Sequence, residues 1–109
     1  MNANIDMNTR KRVYRRDGWR CALCDNTRYI QIHHVIPRGK GGPNSVQNLI
    51  TLCSDCHALA HGTDLRGYLA PEEKRRAAEV AEQAIVEYLA DLYAEDGVIW
   101  NPWSKDGPP

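Results

Sequence analysis

Four cysteines in two tight pairs, Cys21-x2-Cys24 and Cys53-x2-Cys56, constrain this chain more than any other feature. Each Cys-x2-Cys turn presents two sulfurs to one ion, and four thiolates suit a tetrahedral structural Zn2+. The 28 residues between the pairs exceed the usual zinc-ribbon spacing. A β-hairpin fits in that gap and returns the chain to the ion. Nothing near the N-terminus resembles a signal peptide, and no apolar run is long enough to span a bilayer. We therefore expect a reducing, cytoplasmic compartment without a membrane partner, where paired cysteines hold metal instead of forming disulfides. At 109 residues the chain is one domain with a modest core. A structural zinc adds folding free energy on the order of 10 kcal/mol to such a core. A closed four-thiolate site leaves no open coordination position, so chemistry has to lie elsewhere.

The histidines supply that second place. All four fall in one 29-residue window, as His33-His34, His57 and His61, interleaved with the cysteines. His57 and His61 are four residues apart on an expected short helix, so their rings share a face and can share an ion. His33 or His34, from the preceding strand, would give a third nitrogen, and three protein ligands with open positions is the arrangement of a catalytic metal. Neighbouring side chains on a strand point to opposite faces. One of the pair then ligates, and the other is free to act as a general base near neutral pH. Both can reach one site only if the strand ends, twists or bulges at the pair, and Pro37 makes an ending there reasonable. Which histidine takes which role is open at this level.

Around these residues the sequence reads as a helix over 9–17 capped by Asn8 or Thr9 and stopped by Gly18, then a β-branched strand over 29–36 ended by Pro37. A glycine-rich cationic loop comes next over 38–45, then a second strand over 49–52. A short helix over 54–61 has Ser54 as its expected N-cap. Pro71 opens a long amphipathic helix with Glu72 and Glu73 in its first turn, favourable for the helix dipole. Ala77, Ala81, Ala84, Ile85, Tyr88, Leu89 and Leu92 recur along it at helical spacing, and Gly97 can end it. We expect this helix to pack on the metal core, a homodimer or a protein partner being the alternatives for its face. The tail holds Trp100 and Trp103 around Pro102, expected to fold back onto the helix, with base stacking as the other use.

The zero net charge conceals an asymmetry. Residues 1–42 carry nine basic groups against three acids, and the remainder carries five against eleven. The basic part also holds the paired histidines, which points to a polyanion such as DNA or RNA. Arg12, Arg15, Arg16, Arg20, Arg38 and Lys40 are the candidate phosphate contacts.

The string Ile32-His33-His34-Val35-Ile36-Pro37-Arg38-Gly39-Lys40-Gly41-Gly42 and the string Asn48-Leu49-Ile50-Thr51-Leu52-Cys53-Ser54-Asp55-Cys56-His57 resemble the HNH endonuclease family, over about residues 14–62. The resemblance implies an α+β fold: a small ββα-metal, treble-clef-like core with a flanking N-terminal helix and a long C-terminal helix. Together with the elements read above, we expect a basic arm and helix start (1–13), a nuclease domain (14–66), and a C-terminal helix with its Trp/Pro-rich tail packed on the core (67–109). It further implies that His34 is the general base and that Asn48 holds the loop between the strands and so orients it. His33 (where many members have Asp) and His57 become metal ligands, and His61 matches the extra histidine ligand of colicin-type DNases. The implied reaction is hydrolysis of DNA phosphodiester bonds with one divalent ion, Mg2+, Mn2+, Ni2+ or Zn2+. The expected substrate is double-stranded DNA with weak sequence preference, because the cations address phosphates. The alternative is a non-catalytic zinc module that binds nucleic acid through its basic half.

Overall fold

Ile30–His34 (β1) and Leu49–Cys53 (β2) pair antiparallel, with Ile32 opposite Thr51, His33 opposite Ile50 and His34 opposite Leu49. The structure is a computed structural model that describes residues 5–105. The start of the expected basic arm (1–4) and the end of the Trp/Pro-rich tail (106–109) lie outside the described residues. Side chains alternate across this sheet, and each face has its own core. Ile32 and Leu49 pack with Ile5, Val13 and Val46 on one side. Ile50 and Leu52 pack with Ile85, Leu89 and Tyr93 on the other. The two-stranded sheet therefore lies between an N-terminal helix, Met7–Arg16 (α1), and a long helix, Pro71–Glu95 (α3). With the short helix Ser54–Ala60 (α2) directly after β2, the protein is α+β with a ββα core.

The helix α1 begins two residues earlier than its expected start, at an Asp6 N-cap, and ends at Asp17 just before Gly18. Its last residue corrects one sequence expectation. Arg16 is not available to a phosphate: its side chain is only 7% exposed and every donor is used inside the protein. Nε and Nη2 bond the Asp17 carboxylate at 2.9 and 3.0 Å, Nη1 reaches the Val46 carbonyl at 2.7 Å and the Tyr93 hydroxyl at 3.2 Å, and Nη2 also reaches the Leu49 carbonyl at 2.7 Å. Asp17 additionally accepts from the Thr51 N–H and the Tyr88 hydroxyl, both at 2.9 Å. Burial works against the Arg16 charge, and the neighbouring Asp17 more than offsets it, raising the guanidinium pKa. The pair ties α1, β2 and α3 together.

The strand β1 stops at His34, and Asn48 shapes the loop beyond it. Its side chain is fully buried: Oδ1 accepts from the Ile36 N–H at 2.8 Å, and Nδ2 donates to the Ile36 and Pro43 carbonyls at 3.0 Å each. Its own carbonyl accepts from the Val35 N–H at 2.9 Å. The loop closes so tightly that a Cβ at Gly42 would overlap the Ile36 carbonyl and the Asn48 amide, so only glycine fits there.

Helix α2 is capped by Cys53, whose Sγ accepts from the Cys56 N–H, and not by the expected Ser54. The Ser54 hydroxyl instead donates to the Tyr29 carbonyl and accepts from Gln31. Helix α3 starts with Pro71 at its first position, and the Glu73 carboxylate accepts from the Ala70 N–H at 2.8 Å. It ends at Gly97 in the left-handed region, with Gly97 N–H to Ala94 O and Val98 N–H to Tyr93 O, the pairing of a Schellman cap. Among the described residues no helix is long and apolar enough to cross a membrane. The tail goes beyond α3: Trp100 donates to the Gln47 carbonyl at 2.6 Å, so it seats on the loop before β2 as well as on the core.

Candidate metal centres and the histidine cleft

Cys21 and Cys24 come from the knuckle after α1, and Cys53 and Cys56 from the junction of β2 with α2. Their sulfurs all lie within 4.8 Å of one another, with Cys24 and Cys53 at 3.6 Å. Four sulfurs at about 2.3 Å from a tetrahedral ion stand about 3.8 Å apart, so the cluster has the dimensions of such a site. The Cys56 thiol, with backbone N–H groups, holds the Cys21 thiol down to about 4, and the same bond together with burial pushes the Cys56 thiol up. A ready thiolate beside protonated thiols is the chemistry a soft divalent cation displaces protons from.

The second cluster joins β1 to α2. Nitrogens of His33, His57 and His61 also lie within 4.8 Å of one another, and the Nε2 atoms of His57 and His61 are 3.1 Å apart. Two imidazoles on one ion at about 2.0–2.1 Å have nitrogens roughly 3 Å apart. His33 is buried, and its Nδ1 has no partner among the described residues. Such an orphan in a well-bonded interior invites an explanation, and a coordinated cation is one. Burial, then the charges His57, His61 and His34 would carry, depress the His33 pKa to about 3; burial and His61 depress that of His57. Neutral imidazole is the form that ligates.

A chain of hydrogen bonds fixes how His57 faces this cluster. The Tyr29 carbonyl can only accept, so Ser54 donates to it and accepts from Gln31 Nε2 at 3.0 Å. Gln31 Oε1 then accepts from His57 Nδ1. The proton of neutral His57 sits on Nδ1, leaving the Nε2 lone pair aimed at His61. This is the outer-shell arrangement that orients ligating histidines.

His34 stands apart from the trio. Its Nε2 is 2.7 Å from Asn44 Oδ1, and its ring lines the same cleft of about 550 Å3 as His33, His57 and His61. Arg38 and Lys40, on a 3-10 turn, line the cleft wall, and Glu82 and Ile85 of α3 line another part. Arg12, Arg15 and Arg20 are exposed, Arg20 standing 3.5 Å from Asp25. Three residues around the histidines were missed by sequence reasoning: Gln31 and Asn44, which bond His57 and His34, and Glu82, which lines the cleft. Gln31 was findable, since it lies two residues before His33 on the same strand face. Asn44 meets His34 through loop closure and Glu82 reaches the cleft by helix packing, which leave no local signal.

A two-stranded antiparallel sheet feeding a short helix, with one cysteine and one histidine cluster at its ends, defines a small ββα-metal protein. The HNH endonuclease profile matches residues 21–63. Over 39 residues the chain is 41% identical to the type IV methyl-directed restriction enzyme EcoKMcrA of Escherichia coli K12, covering 36% of this chain and 14% of that enzyme. Over 57 residues it is 33% identical to anaredoxin of Nostoc sp. PCC 7120, covering 51% of this chain and 75% of that protein. No solved structure matches significantly. Residues 21–63 are thus similar to the HNH endonuclease domain, and the chain spans only 14% of the restriction enzyme it matches.

Proposed function

We propose that this protein is a metal-dependent endonuclease that hydrolyses DNA phosphodiester bonds in the histidine cleft. The observation that carries the reading is the division of the four histidines: three converge with nitrogens within 4.8 Å, and the fourth lines the same cleft bonded to a different partner. His33, His57 and His61 would hold a divalent cation such as Mg2+, Mn2+, Ni2+ or Zn2+, and Cys21, Cys24, Cys53 and Cys56 a structural Zn2+. When bound in the histidine trio, the divalent ion supplies positive charge against the charge that develops at phosphorus and on the leaving oxygen.

His34 is the general base. Asn44 Oδ1 only accepts, so the bonded Nε2 carries the proton and Nδ1 keeps a lone pair for a proton taken from water, which attacks phosphorus. Asn48 sets the loop between the strands and so the position of His34 and Asn44. Arg38 and Lys40 hold the phosphate, while Arg12, Arg15 and Arg20 offer further backbone contacts that carry little sequence information.

The test is cleavage of an end-labelled DNA duplex by zinc-loaded protein, with and without added Mg2+, Mn2+ or Ni2+, alongside His57→Ala. We expect metal-dependent products ending in 5′ phosphate and 3′ hydroxyl, absent with His57→Ala although its cysteine-bound zinc is retained. Binding with steep salt dependence and no cleavage under any metal would replace this reading with a zinc module that only binds nucleic acid.

A further inference from the structure

The tail after α3 returns to the loop that walls the cleft and is fastened there. Trp100 Nε1 donates to the Gln47 carbonyl at 2.6 Å, the Asn101 N–H donates to Gln47 Oε1 at 3.0 Å, and the Ser45 hydroxyl donates to the Ser104 carbonyl. Asn101 Oδ1 also accepts from the Trp103 N–H at 3.0 Å. The backbone is thus held on both sides of Trp103, yet the residue is 53% exposed. One part of its ring lies against Gly41, with Cζ3 at 3.9 Å from where a Cβ would stand. Apolar area left in water contributes nothing to folding, so the core does not account for holding an indole in this position.

Its neighbours suggest what does. Gly41 directly succeeds the turn Arg38–Lys40, whose two cations line the cleft with the four histidines. Cations that take a phosphate beside an exposed aromatic ring, here carried on a tethered backbone, are the combination by which proteins hold unpaired nucleotides. A base inside an intact duplex has both faces already stacked and offers none to the ring. An unpaired or extruded base offers one, without readout of its identity.

We propose that Trp103 is a stacking platform for an unpaired base beside the phosphate bound in the cleft. The preferred substrate class is then DNA that carries an unpaired nucleotide, in preference to an uninterrupted duplex. This rests on the DNA reading of the cleft and narrows it.

The test reads binding alone, by fluorescence anisotropy with zinc-loaded protein and no other added metal. The probes are a duplex and the same duplex with one unpaired nucleotide. The wild type should bind the interrupted duplex more tightly. Trp103→Ala should lose about 5- to 150-fold on that probe, the range for one base–aromatic stack, and little on the intact duplex. Trp103→Phe should recover most of the loss, and both variants should melt with the wild type. Equal binding of the two probes by the wild type, or an equal loss on both by Trp103→Ala, overturns the platform while leaving cleavage untouched. A wild type that binds neither probe overturns the DNA reading together with it.

Discussion

Asp17→Asn is the change whose effect can be worked most directly from the structure. The carboxylate accepts four hydrogen bonds, from Arg16 Nε and the Tyr88 hydroxyl on Oδ1 and from Arg16 Nη2 and the Thr51 N–H on Oδ2. Whichever way the amide turns, its own N–H group meets an Arg16 N–H that can only donate, and in one orientation the Thr51 N–H as well. The Arg16 guanidinium, 7% exposed against a fully buried Asp17 side chain, also loses its counter-charge. Breaking a buried pair in this way is destabilising by about 3–5 kcal/mol, a large share of the roughly 5–15 kcal/mol that holds a domain together. At about 4–8 °C per kcal/mol for a domain near 100 residues, the melting temperature should fall by roughly 12–40 °C. Thermal unfolding of zinc-loaded protein, monitored by far-ultraviolet circular dichroism, reads this. Arg15→Ala is the control, since its exposed side chain should leave stability within about 0.5 kcal/mol. An Asp17→Asn melt within about 2 °C of wild type would refute the network. So would an Arg16→Ala variant that keeps full stability and loses DNA affinity, which would return Arg16 to the phosphate surface.

Cys21→Ser should release the structural zinc and unfold the domain, read as metal content and loss of helical dichroism; a folded, zinc-loaded variant would contradict the four-thiolate site. Gln31→Leu removes the acceptor that holds the His57 proton on Nδ1, so affinity of the histidine trio for Ni2+ or Co2+ should fall about 10- to 100-fold by calorimetry, with the cysteine-bound zinc unchanged. Unaltered affinity would make Gln31 a bystander. His33 and His57 have pKa values below the ordinary histidine value, His33 near 3. Below about pH 6.5 the unfolded chain takes up protons that the folded one refuses, so stability falls as pH drops through this window and does not change on this account above it. For protein without an ion in the histidine trio, His33→Asn should make that fall shallower by up to about 1.4 kcal/mol per pH unit. An identical slope in denaturant titrations at pH 5 and pH 7 would count against it.

What the sequence disclosed was set by local spacing. The Cys-x2-Cys turns, the His57–His61 pair one helical turn apart, the β-branched strands and the Pro71 helix start each depend on residues close in the chain, and the structure brings these groups together. The adjacency of His33 and His34 also foretold opposite faces, because a strand cannot do otherwise. Arg16 was misread because its surroundings suggest a solvated basic helix. Its burial depends on Val46, Leu49 and Tyr93, the last of them 77 residues away. Ser54 was misassigned as the cap because a cysteine sulfur took that place, freeing its hydroxyl for the Gln31–His57 chain. Asn44 and the docking of Trp100 on Gln47 are products of loop closure around Asn48 and Gly42, for which no short-range pattern exists.

The most direct measurement is conversion of supercoiled plasmid by wild type and His34→Ala, both shown folded and zinc-loaded, with added Mg2+, Mn2+ or Ni2+ and with EDTA. A general base contributes about 10²–10⁴-fold in rate. The predicted result is metal-dependent nicking or linearisation that is abolished by EDTA and at least about 100-fold slower with His34→Ala. Equal rates for the two proteins would contradict His34 as the base, and the absence of any cleavage by the wild type would contradict the nuclease itself.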